Sequence, residues 1–221
     1  MVRRIILSIA VAVGAVAVGI IVPAATALSA DDHGWPRSRP VRLAAAEILV
    51  MAGDARRLAE EPLPPLRQRG LRDRLLGAAS GLPLLLRLAG QPPEPGAMEA
   101  LRAAIAADDL VTLRRDLEAL AARVPLDTAG VLPADHRPRA RRLARALHDG
   151  LCAGCHDGQP ADTDDLLPAE DLFQAARTMP LREFTARLMI GVRGDTLTGF
   201  AQPLTDSDLA ALLGFYLNGR D

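Results

Sequence analysis

The chain has 221 residues, with 26 basic against 27 acidic side chains and a net charge of −1, so a nucleic-acid role has no electrostatic footing. Aromatic residues make up 3% of it, and Ala, Leu and Arg dominate, which favours helix and leaves little from which to build a sheet. All the basic residues are arginine and none is lysine, a bias that codon usage accounts for without any function.

Residues 1–30 open with Arg3 and Arg4 and run apolar from Ile5 to Val22, broken only by Ser8 and two glycines. Pro23 and a small-x-small site at Ala25-Thr26-Ala27 follow, the layout of a secretory leader. The apolar core is longer than the about 7–15 residues usual in a leader and reaches the length of a membrane span. A cleaved signal peptide and an uncleaved tether through residues 5–22 are therefore both consistent. In either case the arginines stay cytoplasmic and the remainder, about 190 residues, is exported to the periplasm.

From residue 31 to 125 the apolar spacing is helical. Ala44, Ile48, Met51, Ala55 and Leu58 recur at three- and four-residue steps and form one stripe. Leu71–Leu88 is Leu-rich enough to require burial along most of its length, with Gly81-Leu82-Pro83 expected to break it. Gln91–Gly96 reads as a turn or short linker. Leu101 and Ile105 mark a short helix ending near Asp108-Asp109, a pair placed to cap the next helix. Leu110, Leu113, Leu117, Leu120 and Val124 then form a seam. Four such helices with short connections imply an antiparallel bundle. No histidine or acidic cluster recurs on its inner face, so it is expected to pack or dock rather than to hold a cofactor.

Pro125–Pro138 carries three prolines and a glycine, which places a linker at residues 126–138. The charge balance also changes along the chain. Residues 31–150 hold 19 arginines against 16 acidic side chains, whereas residues 151–221 hold 5 against 11. An acidic face of that kind steers a basic partner, although Asp162, Asp164 and Asp165 read equally as a solvated loop.

Arg139–His148 is an amphipathic helix with Ala140, Leu143 and Leu147 on one face, Leu151 continuing it, and His148 expected to be exposed and without function. It delivers the chain into Cys152-Ala153-Gly154-Cys155-His156. These are the two cysteines of the chain, and C-x-x-C-H is the attachment signature for c-type haem. Each thiol can add to a haem vinyl group, and the adjoining imidazole can bind the iron. A redox dithiol would sit beside a βαβ pattern, and no strand-rich run flanks the motif. A zinc site would need four ligands, and no second Cys or His pair lies at ligand spacing. Haem c is attached on the outer side of the bacterial membrane, so leader and motif agree.

Downstream, Thr205-Asp206-Ser207-Asp208 is an N-cap cluster, and the helix after it brings Leu209, Leu212, Leu213 and Tyr216 together. With the helix before the motif, the run Leu181-Arg182-Glu183-Phe184-Thr185-Ala186-Arg187-Leu188-Met189-Ile190 and this terminal helix, residues 139–221 resemble a class I cytochrome c domain. The haem motif is the specific part of the resemblance; the helices are consistent with it. For residues 31–138 no resemblance is recognised. The expected fold is thus all-α, a bundle-like helical module followed by a cytochrome c-like haem domain. The resemblance implies that first and last helices cross near the haem edge, that Cys152 and Cys155 form the thioethers and that His156 is the proximal ligand. It also implies a sixth ligand, a methionine from the loop before the last helix.

The chain departs from the pattern at that sixth position. Gly194–Pro203 contains no methionine, and Phe200 stands where a Thr-Gly-Met stretch is expected. A phenyl ring cannot ligate iron. Met179 is the first candidate, because a Met-Pro pair is common at distal ligands of the family, yet it lies only 23 residues past His156. Met189, inside a predicted helix, is the second and reads equally as core. His33 and His136 would have to come from the module or the linker. The remaining option is no side chain at all, leaving five-coordinate or water-bound iron.

Six strong ligands suit electron transfer, whereas an open position binds small ligands such as CO or NO. The expectation is an exported monohaem cytochrome passing single electrons to a redox partner protein, docked through the helical module or the acidic haem domain. Its alternatives are a five-coordinate haem sensor and the electron-accepting subunit of a periplasmic dehydrogenase. Nothing supplies separate substrate chemistry, so independent catalysis is not expected.

Overall fold

The computed structural model describes residues 39–157, 169–191 and 204–219. The leader, His33, the acidic run 162–165 and the loop with Phe200 lie outside the described residues. Among the described residues the architecture is all-α, without a β-strand. The helices are α1 (Arg39–Glu60), α2 (Pro65–Leu88), α3 (Ala97–Ala106), α4 (Leu110–Arg123), α5 (Pro138–Leu151), α6 (Ala153–His156), α7 (Leu172–Thr178), α8 (Leu181–Ile190) and α9 (Asp206–Asn218). Among these residues no helix is long and apolar enough to cross a membrane.

Helix α1 packs on α2, α4 and α8. Its stripe of Ala44, Ile48, Met51 and Ala55 is buried as the spacing predicts, and Ala45, Ala46 and Val50 are buried with it because neighbours cover it from several directions. The seam of α4 is buried at Leu113, Leu117, Leu120 and Val124. Asp109 caps α4 by accepting from Thr112 N at 3.1 Å, as its position before the apolar run implies. Thr205 caps α9 in a full capping box with Asp208.

Three expectations need correction. Gly81-Leu82-Pro83 does not break α2, which runs unbroken through Pro83. A proline inside a helix costs about 3 kcal/mol, but Leu75, Ala78, Ala79, Leu82 and Leu86 are buried along this helix, and that burial outweighs the local preference. The same helix leaves Leu76, Leu84 and Leu88 exposed. The inward face of α5 is Ala140, Ala144 and His148, whereas Leu143 and Leu151 are exposed and Leu147 is half-buried. Helix α5 is turned this way because His148 finds partners inside. Finally, α1 does carry acids on its buried side, Glu47 and Asp54, together with Arg57.

These buried acids are matched by arginines from other helices. Asp54 is fully buried and pairs with Arg74 of α2 and, at 2.8 Å, with Arg187 of α8. Burial pushes its carboxyl above the ordinary value even though both arginines pull it down. Glu183 of α8 pairs with Arg187 at 2.6 Å and Arg56 at 3.3 Å. Gly53 makes room for it, since a Cβ there would lie 2.3 Å from the Glu183 carboxylate.

The segment between α4 and α5 is pinned to the helices at several points. Leu126 and Val131 are buried, and Asp135 N donates to Ala210 O of α9 at 2.9 Å. Arg42 of α1 reaches Asp127 O at 3.1 Å and forks onto Asp206 of α9 at 3.0 and 2.9 Å. One buried cluster extends from Ala44 to Tyr216, so α1–α4 and α5–α9 share a continuous core.

Candidate functional site

Helix α5 ends where Cys152 N donates to His148 O at 2.8 Å. The chain then makes one more turn, with Cys155 N and His156 N donating to Cys152 O at 3.2 and 3.0 Å. This turn places Cys152 and Cys155 three apart, side by side on the helix surface, with His156 directly after. Cys152 is half-buried and Cys155 exposed, and neither is in a disulfide. Burial pushes the Cys152 thiol up, although the nearby Tyr216 hydroxyl favours the thiolate. A redox dithiol needs the opposite, a depressed thiol that ionises readily.

His156 is half-buried, and its Nδ1 lies 2.6 Å from the carbonyl oxygen of Glu170. A carbonyl can only accept, so Nδ1 carries the proton, and the neutral ring then keeps its lone pair on Nε2. That tautomer, with its second nitrogen donating to a backbone carbonyl, is the form in which histidine ligates metals. Glu170 is fixed from two sides. Its carboxylate pairs with Arg57 of α1 at 2.5 Å, and the next residue, Asp171, caps α7 by accepting from Phe173 N and Gln174 N at 2.8 and 3.1 Å.

Beneath the turn lies a chain of polar contacts that the sequence reading missed. His148 is 2% exposed, not solvent-facing as expected. Its Nε2 lies 3.0 Å from the Asp157 carboxylate and its Nδ1 3.0 Å from the Tyr216 hydroxyl. The carboxylate accepts, so Nε2 holds a proton, and in the neutral ring Nδ1 takes the Tyr216 O–H. Burial, with Cys152 next to the ring, raises the Tyr216 phenol far above its usual range. All four aromatic residues among the described ones, Phe173, Phe184, Phe215 and Tyr216, gather here. His148, Phe173 and Tyr216 meet edge-on with centroids 5.2–5.5 Å apart. The available signal was the lone tyrosine of the chain, placed at an inward position of the last helix opposite a histidine one turn before the motif. Nothing local marks Arg57 or Glu170.

Met179 ends α7 as its C-cap residue and is half-buried against the core. Met189 lies inside α8 and is 6% exposed. His136 is engaged with Asn218, Nδ1 to Nδ2 at 2.8 Å. It borders a cavity of about 600 Å³ that also touches Pro133, Ser207 and Ala210 and includes none of Cys152, Cys155 or His156 in its lining. Among the described residues no three His, Cys, Asp or Glu side chains converge into a metal-binding group, so a protein-only zinc cage has no ligand set there. Two thiols on one helical turn and an adjoining imidazole whose Nδ1 is held by a carbonyl, leaving Nε2 as the nitrogen for a metal, are the donor set that a haem requires of its polypeptide. The residues fit the group.

No family model, curated protein or solved structure matches the chain.

Proposed function

We propose that this chain is an exported c-type cytochrome carrying single electrons through one covalently attached haem. Residues 139–221 form its haem-binding part and residues 31–125 a helical module that docks a redox partner protein. The observation that supports this best is the Cys152–His156 turn, together with the Nδ1–H of His156 seated on the Glu170 carbonyl. Haem supplies a one-electron iron couple when bound. The protein holds it by two sulfurs, so it is not lost on a change of oxidation state. His156 offers Nε2, and the Glu170 carbonyl holds the ring in that orientation and raises its basicity. The buried His148, Phe173 and Tyr216 keep water from the inner side of the turn. Independent catalysis is not part of the proposal.

The spectrum tests it. Protein matured in a host with haem-attachment machinery is expected to keep its haem through acid–acetone extraction; release of the pigment would remove the reading. A low-spin oxidised spectrum with a methionine–iron band supports electron carriage. A high-spin spectrum with ready CO binding to the reduced form favours the haem sensor, the reading that the missing methionine in Gly194–Pro203 supports.

A further inference from the structure

Arg57 leaves the last turn of α1 with 7% exposure and divides its donors between two carboxylates. Its Nη2 lies 2.5 Å from Glu170 Oε1 and its Nε 2.9 Å from Glu61 Oε2. Burial works against the guanidinium charge, but the two carboxylates more than offset it and hold Arg57 firmly ionised. The same Glu170 presents its backbone carbonyl to His156 Nδ1 at 2.6 Å. A buried charge on α1 is thus one residue removed from the imidazole that follows Cys155.

Resting on the haem reading above, we propose that Arg57 is a positioning residue for His156. By anchoring Glu170 it fixes the carbonyl that orients the imidazole and strengthens it as a donor. Helix α1 thereby adjusts the iron couple without touching it. Outer partners of metal-bound histidines contribute about 10–100-fold in metal affinity. A stronger donor favours ferric over ferrous iron, so loss of this support raises the midpoint potential. Removing the Arg57 charge acts in the opposite sense, because a nearby cation favours the ferrous state. The sign of the shift therefore separates positioning from a plain charge effect, and a merely structural role moves neither.

The experiment is redox titration of the full haem-loaded chain as wild type, Arg57→Ala and Arg57→Lys. In Arg57→Ala the potential is expected to rise, by about 59 mV if the ferric preference falls tenfold. Arg57→Lys keeps the charge and one donor and is expected to recover most of the shift. Glu170 and Glu61 both reach solvent, so Arg57→Ala strands no fully buried charge. If that variant nevertheless fails to fold, Arg57→Gln removes the charge with a smaller truncation and carries the same expectation. A fall or no change in a haem-loaded variant overturns this inference alone. A wild-type chain that acquires no haem overturns both it and the proposed function.

Discussion

Replacing Tyr216 by phenylalanine removes one oxygen from the contact between α5 and α9 and leaves the ring in place. Tyr216 is fully buried, and its hydroxyl lies 3.0 Å from His148 Nδ1 in a side chain that is 2% exposed. Water does not replace the lost donor. A buried acceptor left without a partner costs roughly 1–3 kcal/mol. The ring contacts with His148, Phe173 and Phe184, at centroid distances of 5.5, 5.2 and 5.9 Å, survive, so the apolar contribution is nearly unchanged. At this chain length each kcal/mol lowers Tm by about 2–4 °C. Urea unfolding of wild type, Tyr216→Phe, His148→Phe and the double variant isolates the pair. The double variant is expected to lose less than the two single losses together, by about 0.5–3 kcal/mol. Additive losses, or a Tyr216→Phe cost within about 0.5 kcal/mol of zero, would refute the view that this hydrogen bond stabilises the contact between α5 and α9.

Gly214→Ala places a Cβ 2.2 Å from the Asp135 backbone oxygen and is expected to cost about 1–3 kcal/mol, whereas Gly70→Ala in α2 meets open space and is expected to stabilise by about 0.5–1 kcal/mol. Equal effects in thermal unfolding would contradict the close approach at Gly214. Burial raises the Glu170 carboxyl, but its hydrogen bond and charge pairing with Arg57 prevail and hold it below its ordinary value of 4.5. Its contribution to stability is thus present above pH 4.5 and lost as pH falls through the lower folded value. Between neutral pH and about pH 3, wild type is expected to lose more stability than Glu170→Gln; parallel acid losses in denaturant titrations would contradict this. If a methionine–iron band is present, Met179→Ala is expected to abolish it with a small loss of stability. Met189→Ala is expected to cost about 2–5 kcal/mol as a core truncation with the band intact; the reverse pattern would make Met189 the donor.

The sequence made the helical plan legible because its signals are local. The stripe of α1, the seam of α4 and the caps at Asp109 and Thr205 each need only a few neighbouring residues to be read. The motif was legible for the same reason. The errors fall where a distant partner decides. Pro83 sits inside α2 because residues elsewhere in the fold cover that helix. Leu143 yields the inward face of α5 to His148 because Tyr216, 68 residues on, and Asp157 satisfy the ring. Asp54 and Glu183 are buried because Arg74, Arg56 and Arg187 converge on them. The support of His156 is of the same kind. A backbone carbonyl 14 residues away, anchored by an arginine 113 residues from Glu170, leaves no spacing for a sequence to display.

The proposed haem attachment is the central claim, and the mass of the intact protein tests it most directly. The full chain, expressed in a host that attaches haem c, is expected to weigh its polypeptide, with or without residues 1–30, plus one haem. The added mass should lie on the peptide containing Cys152 and Cys155. A matured chain that weighs only its polypeptide would contradict the claim.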